Sequence, residues 1–78
     1  MDLQQFIKQF AQQFEASDVD QISENTDYRL LDTWDSLTSM SVQVMIEDEY
    51  EVAVTPEELK NATSVLALFN LIKSRVNL

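Results

Sequence analysis

Leu3, Phe6, Ile7, Phe10 and Phe14 fall within an arc of about 100° on a helical wheel, the signature of an amphipathic helix. Asp2 is placed to cap it, and the pattern ends near Glu15 and Ala16, where Ser17, Asp18 and Asp20 take over. Residues 17–34 show no sustained period and are rich in Asp, Ser, Asn and Thr, which predicts a long ordered loop. Val19, Ile22, Tyr28, Leu30 and Leu31 are apolar enough to pin that loop to a core, and Trp34 reads as its last anchor. A second helix begins at Asp35 or Ser36, with Asp35 as its N-cap, and runs to about Tyr50. Val52 and Val54 then sit in a short extended connection. Thr55-Pro56-Glu57-Glu58 is a strong start for a short third helix ending around Ala62, with Thr as cap, Pro in the first position and Glu in the third. Glu57 and Glu58 need no further role than starting that helix. Ser64 caps a fourth helix, whose Val65, Leu68, Phe69, Ile72 and Val76 form one stripe and whose last turn carries Lys73 and Arg75, where cations suit the dipole. The prediction is an all-α fold: a small four-helix bundle with a long first loop and a short third helix, residues 1–78 forming a single domain.

The second helix has two apolar faces. Val42, Ile46 and Tyr50 fall together, with Met45 near them, while Leu37, Met40 and Val44 fall on roughly the opposite side. A helix in so small a bundle needs only one buried stripe. The first stripe spans more of the helix and is assigned to the core. The second starts beside Ser36, contains adaptable Met40 and is bracketed by Glu47 and Asp48, which reads as a docking surface. The competing reading is that the long loop covers it and both stripes are buried.

Composition removes most chemistry. With no cysteine there is no disulfide, thiolate metal site or thiol catalysis, and with no histidine the commonest general base and metal ligand are missing. The absence of glycine excludes P-loops, dinucleotide-binding turns and EF-hand loops. The net charge of −9 opposes nucleic acid and anionic lipid and favours partners with basic patches. Glu47, Asp48, Glu49 and Glu51 do not have the spacing of a specific cation site. No apolar run approaches the roughly 20 residues of a membrane span, and Met1-Asp2-Leu3-Gln4 lacks the basic start and apolar core of a signal peptide, so a cytoplasmic monomer is expected.

What remains is Trp34-Asp35-Ser36-Leu37 at the mouth of the second helix. Between Arg29 and Lys60 there are eight acids (Asp32, Asp35, Glu47, Asp48, Glu49, Glu51, Glu57 and Glu58) and no basic residue. Ser36 has no partner to activate it as a nucleophile, but a first-turn serine projects outward and can carry a phosphate ester facing unpaired backbone N–H groups. On the bland reading Ser36 is an ordinary first-turn serine and Asp35 only a cap.

Asp35-Ser36-Leu37, opening a helix that ends in Ile46-Glu47-Asp48-Glu49-Tyr50, resembles the acyl carrier proteins. The likeness continues through Glu51-Val52-Ala53-Val54-Thr55-Pro56-Glu57-Glu58-Leu59 and Ala62-Thr63-Ser64-Val65, and backward through Thr26-Asp27-Tyr28-Arg29-Leu30-Leu31. The resemblance implies that Ser36 is the attachment point for 4′-phosphopantetheine. A phosphopantetheinyl transferase would install the arm from coenzyme A with Mg²⁺, Asp35 helping to position the metal ion. The arm would hold acyl intermediates as thioesters and present them at high effective concentration to acyl-loading and acyl-processing enzymes. Glu47 and Asp48 match positions that meet basic patches on those enzymes, with Leu37, Met40 and Val44 as apolar contacts. Val42, Ile46, Phe69 and Ile72 would line an acyl pocket when the helices part. Two departures from the usual pattern matter. Thr33 stands where many members have glycine, and Thr38 and Ser41 are neutral where many carry acids. The neutral positions point away from general fatty-acid synthesis, and Trp34 resembles a subgroup of free-standing carriers of specialised lipid or secondary pathways. The alternatives are an aminoacyl or peptidyl carrier, which would use the same arm, and an acidic helical adaptor with no prosthetic group. An enzyme fits least.

Overall fold

The computed structural model describes residues 2–14 and 21–76. Among them are four α-helices, α1 (Leu3–Ala11), α2 (Ser36–Tyr50), α3 (Pro56–Asn61) and α4 (Val65–Arg75), with a 3₁₀ turn at Tyr28–Leu30 and no strand. The small all-α bundle with a short third helix is thus the fold. Each helix begins on the cap the sequence offers. Asp2 accepts from the Gln4 N–H at 2.9 Å, Asp35 from Thr38, and Ser64 from Ala67 at 3.0 Å. Thr55 and Glu58 form a reciprocal capping box with Pro56 in the first position.

α1 ends earlier than its apolar pattern suggests. Gln12 is the C-cap, and the Gln13 and Phe14 N–H groups bond three residues back, to Phe10 and Ala11 at 3.1 and 3.0 Å. The chain tightens after Ala11, and the tighter coil still delivers Phe14 to the core. The expected end at Glu15–Ala16, and the Val19 anchor, lie outside the described residues.

Apolar packing runs through a continuous chain of rings. All seven aromatic side chains belong to it. Phe6 meets Phe69 of α4 at 5.5 Å and Tyr50 of α2 at 5.9 Å, and Phe10 meets Phe14 and Tyr28 at 5.1 and 5.2 Å. Trp34 closes the series, stacked on Phe14 and edge-on to Tyr28 at 4.8 Å. Because Phe14 reaches the start of α2 and Gln9 its end, through Tyr50 and Glu49, α1 runs antiparallel to α2. Val42 and Ile46 are fully buried with Leu68 and Ile72 of α4, as the first stripe requires.

The long loop is held by backbone and polar contacts as much as by apolar ones. The Val65 and Leu66 N–H groups, which have no acceptor inside α4, donate to the Thr26 and Glu24 carbonyls at 3.0 and 2.9 Å. Buried Tyr28 donates its phenol to the Leu59 carbonyl, and burial pushes that phenol's pKa up, so it stays a donor. Arg29 forks onto Asp27 at 2.7–2.8 Å and reaches the Lys60 carbonyl at 2.8 Å. Leu30 was expected to help pin the loop but is 80% exposed. In a 3₁₀ turn, positions three apart share a face, so Tyr28 and Leu31 turn inward and Leu30 outward.

Glu58 also does more than start α3. Its carboxylate takes the guanidinium of Arg75, which donates as well to the Ala53 carbonyl at 3.1 Å, tying α3 and the preceding connection to the end of α4. The side-chain hydrogen bonds from Arg75, then the Thr55 backbone N–H, hold the Glu58 carboxyl at about 2, below its ordinary 4.5. A depressed carboxyl stabilises the fold above its unfolded value, and that contribution is lost as pH falls from about 4.5 through about 2. Thermal melts between neutral pH and pH 2 should therefore show Glu58→Gln losing less stability toward acid than the wild type. An equal loss in both chains would contradict a contribution from Glu58.

α2 terminates on Glu51, the only described residue with positive φ (57°, ψ 38°), a conformation that suits glycine. Glu51→Gly relieves the left-handed penalty at the expense of a freer unfolded chain, for a net gain of about 0.5–1 kcal/mol in urea denaturation. A loss of stability would contradict this reading.

Candidate functional site

The start of α2 is fixed from both sides. Upstream, Trp34 donates its backbone N–H to the Leu31 carbonyl at 3.1 Å while its indole packs against Phe14 and Tyr28. Downstream, Asp35 is extended, with Oδ1 accepting the Thr38 N–H at 2.8 Å and its carbonyl accepting the Ser39 N–H at 2.9 Å. The Thr38 hydroxyl donates back to the Thr33 carbonyl at 2.9 Å. Thr33 needs no positive φ, so a side chain in place of glycine distorts nothing. Ser36 is the first helical residue and is exposed.

Hydrogen bonds from Thr38, backbone first, keep the Asp35 carboxyl below the usual carboxylate range, so it is an anion at neutral pH. Of the first-turn N–H groups, that of Thr38 is taken by the Asp35 carboxylate. A cation lines the adjoining groove. Ser36 opens on a groove of about 410 Å³ between α2 and α3, lined by Trp34, Ser39, Met40, Gln43, Pro56 and Lys60 among others. Lys60 ends the long stretch without basic residues, which was the one sequence signal for it.

The second face of α2 is open. Leu37, Met40 and Val44 are 74%, 59% and 58% exposed, so the loop does not cover them. Glu47 and Asp48 flank them and are exposed. On the α1 side these apolar residues floor a second groove of about 890 Å³, whose other wall includes Gln5, Gln9, Gln12 and Gln13. That glutamine row repeats at helical spacing, but its polarity made it look like plain solvated surface. Val42, Ile46, Phe69 and Ile72 stand apart from both grooves, buried in the common core.

A family model described as the phosphopantetheine attachment site matches residues 3–72. The chain belongs to that family. Comparisons with curated proteins and with solved structures gave no match. The family's prosthetic group is covalently attached 4′-phosphopantetheine, and the chain is a carrier protein of this kind. The geometry at α2 fits such a group: an exposed hydroxyl, an adjoining groove with apolar and polar walls, and Lys60 to offset a phosphodiester charge. No helix among the described residues is long and apolar enough to cross a membrane.

The carrier's charge predicts a salt response. Among the described residues two ion pairs form, Arg29–Asp27 and Arg75–Glu58, whereas Glu47, Asp48 and Glu51 crowd one exposed surface. Added NaCl or Mg²⁺ should raise the melting temperature by screening that repulsion. A fall would mean that the two ion pairs outweigh it.

Proposed function

We propose that this chain is an acyl carrier protein whose 4′-phosphopantetheine is attached at Ser36. The observation that carries the reading is the exposure of Ser36 in the first turn of α2, beside a groove that leads away from it. In the loading step the Ser36 Oγ attacks the β-phosphorus of coenzyme A, 3′,5′-ADP departs, and the serine proton passes to a base of the phosphopantetheinyl transferase. The chain supplies no base of its own, since it has no histidine. Ionised Asp35 lies next to the reacting hydroxyl, where it can help hold the transferase's Mg²⁺ while capping α2. Once attached, the arm's terminal thiol carries an acyl group as a thioester.

The exposed strip of Leu37, Met40 and Val44, with Glu47 and Asp48 beside it, is the contact for acyl-loading and acyl-processing enzymes that present basic patches. Val42, Ile46, Phe69 and Ile72 form the interior into which a long acyl chain inserts when α2 and α4 part. The neutral Thr38 and Ser41 fit enzymes of a specialised lipid or secondary pathway.

Incubation with a broad-specificity transferase, coenzyme A and Mg²⁺ should add one phosphopantetheinyl unit to the intact mass, and Ser36→Ala should abolish the gain without changing the melt. Met40→Glu, at a site 59% exposed, should lower transferase kcat/KM while changing stability by no more than about 0.5 kcal/mol. Modification that persists in Ser36→Ala would overturn the assignment.

A further inference from the structure

The groove between α1 and α2 has two unlike walls. α2 contributes Leu37, Met40 and Val44 as an exposed apolar ridge, with Asp48 and Glu49 at its far end. α1 contributes Gln5, Gln9, Gln12 and Gln13, with Lys8 on the same wall. Because the helices are antiparallel, Gln12 and Gln13 stand toward the Leu37 end and Gln5 and Gln9 toward the acids. The acidic end is held in place, since Gln9 donates to Glu49 at 2.9 Å and accepts from Tyr50. From Leu37 to Glu49 the ridge runs about 18 Å along α2, some three helical turns.

We propose that this groove receives an amphipathic helix of a partner enzyme, and that α1's glutamine row, not α2 alone, selects it. The occupant places apolar residues on Leu37, Met40 and Val44, directs a Lys or Arg at Asp48 and Glu49, and sets polar side chains against the glutamine amides. Spacing and charge both argue for a helix of this kind. The ridge residues recur three, four and seven positions apart, the spacing that anchors a helix in a groove. A cation at one end answers the two carboxylates, whereas an acidic helix would meet a chain of net charge −9. Gln9 and Gln13 spend amide donors within the chain, on Glu49 and on the Gln9 carbonyl, and thereby set the wall, while the exposed Gln5 and Gln12 amides donate and accept alike, so they reward a matched polar face and do not attract every basic surface. This inference rests on the carrier reading of α2 and adds α1 to its recognition surface.

The test uses the ¹⁵N-labelled full chain and two helical peptides of about 14 residues with one leucine stripe, one flanked by lysines and the other by glutamates. The lysine peptide should saturably shift the side-chain amide signals of Gln5, Gln9, Gln12 and Gln13 together with the backbone amides of Met40 and Val44. The glutamate peptide should not bind. Gln5→Ala/Gln12→Ala, at two exposed positions, should weaken the lysine peptide about fivefold or more while the melt stays unchanged. Shifts confined to α2 and α3, equal binding of both peptides, or no binding of either would overturn the proposal. Loading of wild-type chain by the transferase, run in parallel, separates these outcomes from failure of the carrier reading. A chain that loads but leaves the glutamine amides unmoved refutes the groove alone.

Discussion

The position of one helix start governs the rest of this structure. Asp35 caps α2, Trp34 is fixed between Phe14 and Tyr28, and the Thr38 hydroxyl closes onto Thr33, so the register of α2 is set at its first residue. In a helix, register decides which side chains face in and which face out. With Ser36 first, Val42 and Ile46 turn to the core, Leu37, Met40 and Val44 turn to solvent, and the Ser36 hydroxyl is presented beside the groove toward α3. A shift of a single residue would rotate this pattern by about 100° and bury part of the exposed apolar strip.

The core works to keep that start rigid. The linked rings carry packing from Phe69 and Tyr50 at one end of the bundle to Trp34 at the other, so residues 28–34 before α2 are tied to the core. Polar ties complete the enclosure: Tyr28 to Leu59, Arg29 to Asp27 and Lys60, and Thr26 and Glu24 to the start of α4. Among the described residues no buried side-chain polar atom lacks a partner. The surface, by contrast, keeps Glu47, Asp48 and Glu51 close together, at a cost to stability.

Much of this was legible in the chain. Helix starts were readable because each cap is a short polar side chain followed by an apolar period, and the two faces of α2 were readable from spacing alone. Exposure of the second face was not, since periodicity cannot say whether a loop covers a stripe. The early end of α1 was hidden because the apolar period continues through Phe14 while the hydrogen-bond pattern tightens. Leu30 misled because composition does not reveal a 3₁₀ turn, and Arg75 was read for its dipole when its main partner is Glu58, 17 residues away. At the site, Ser36 and Asp35 stood out through their motif, but the cation beside them and the glutamine wall come from elements distant in sequence, which only the tertiary fold brings together.

The account turns on which hydroxyl the register exposes. Proteolytic fragmentation of the transferase-treated wild-type chain, with tandem mass spectrometry, locates the modified residue among the serines of α2. The helix start described here predicts the phosphopantetheinyl mass on Ser36 alone. Its appearance on Ser39 or Ser41, or on no serine of α2, would contradict it.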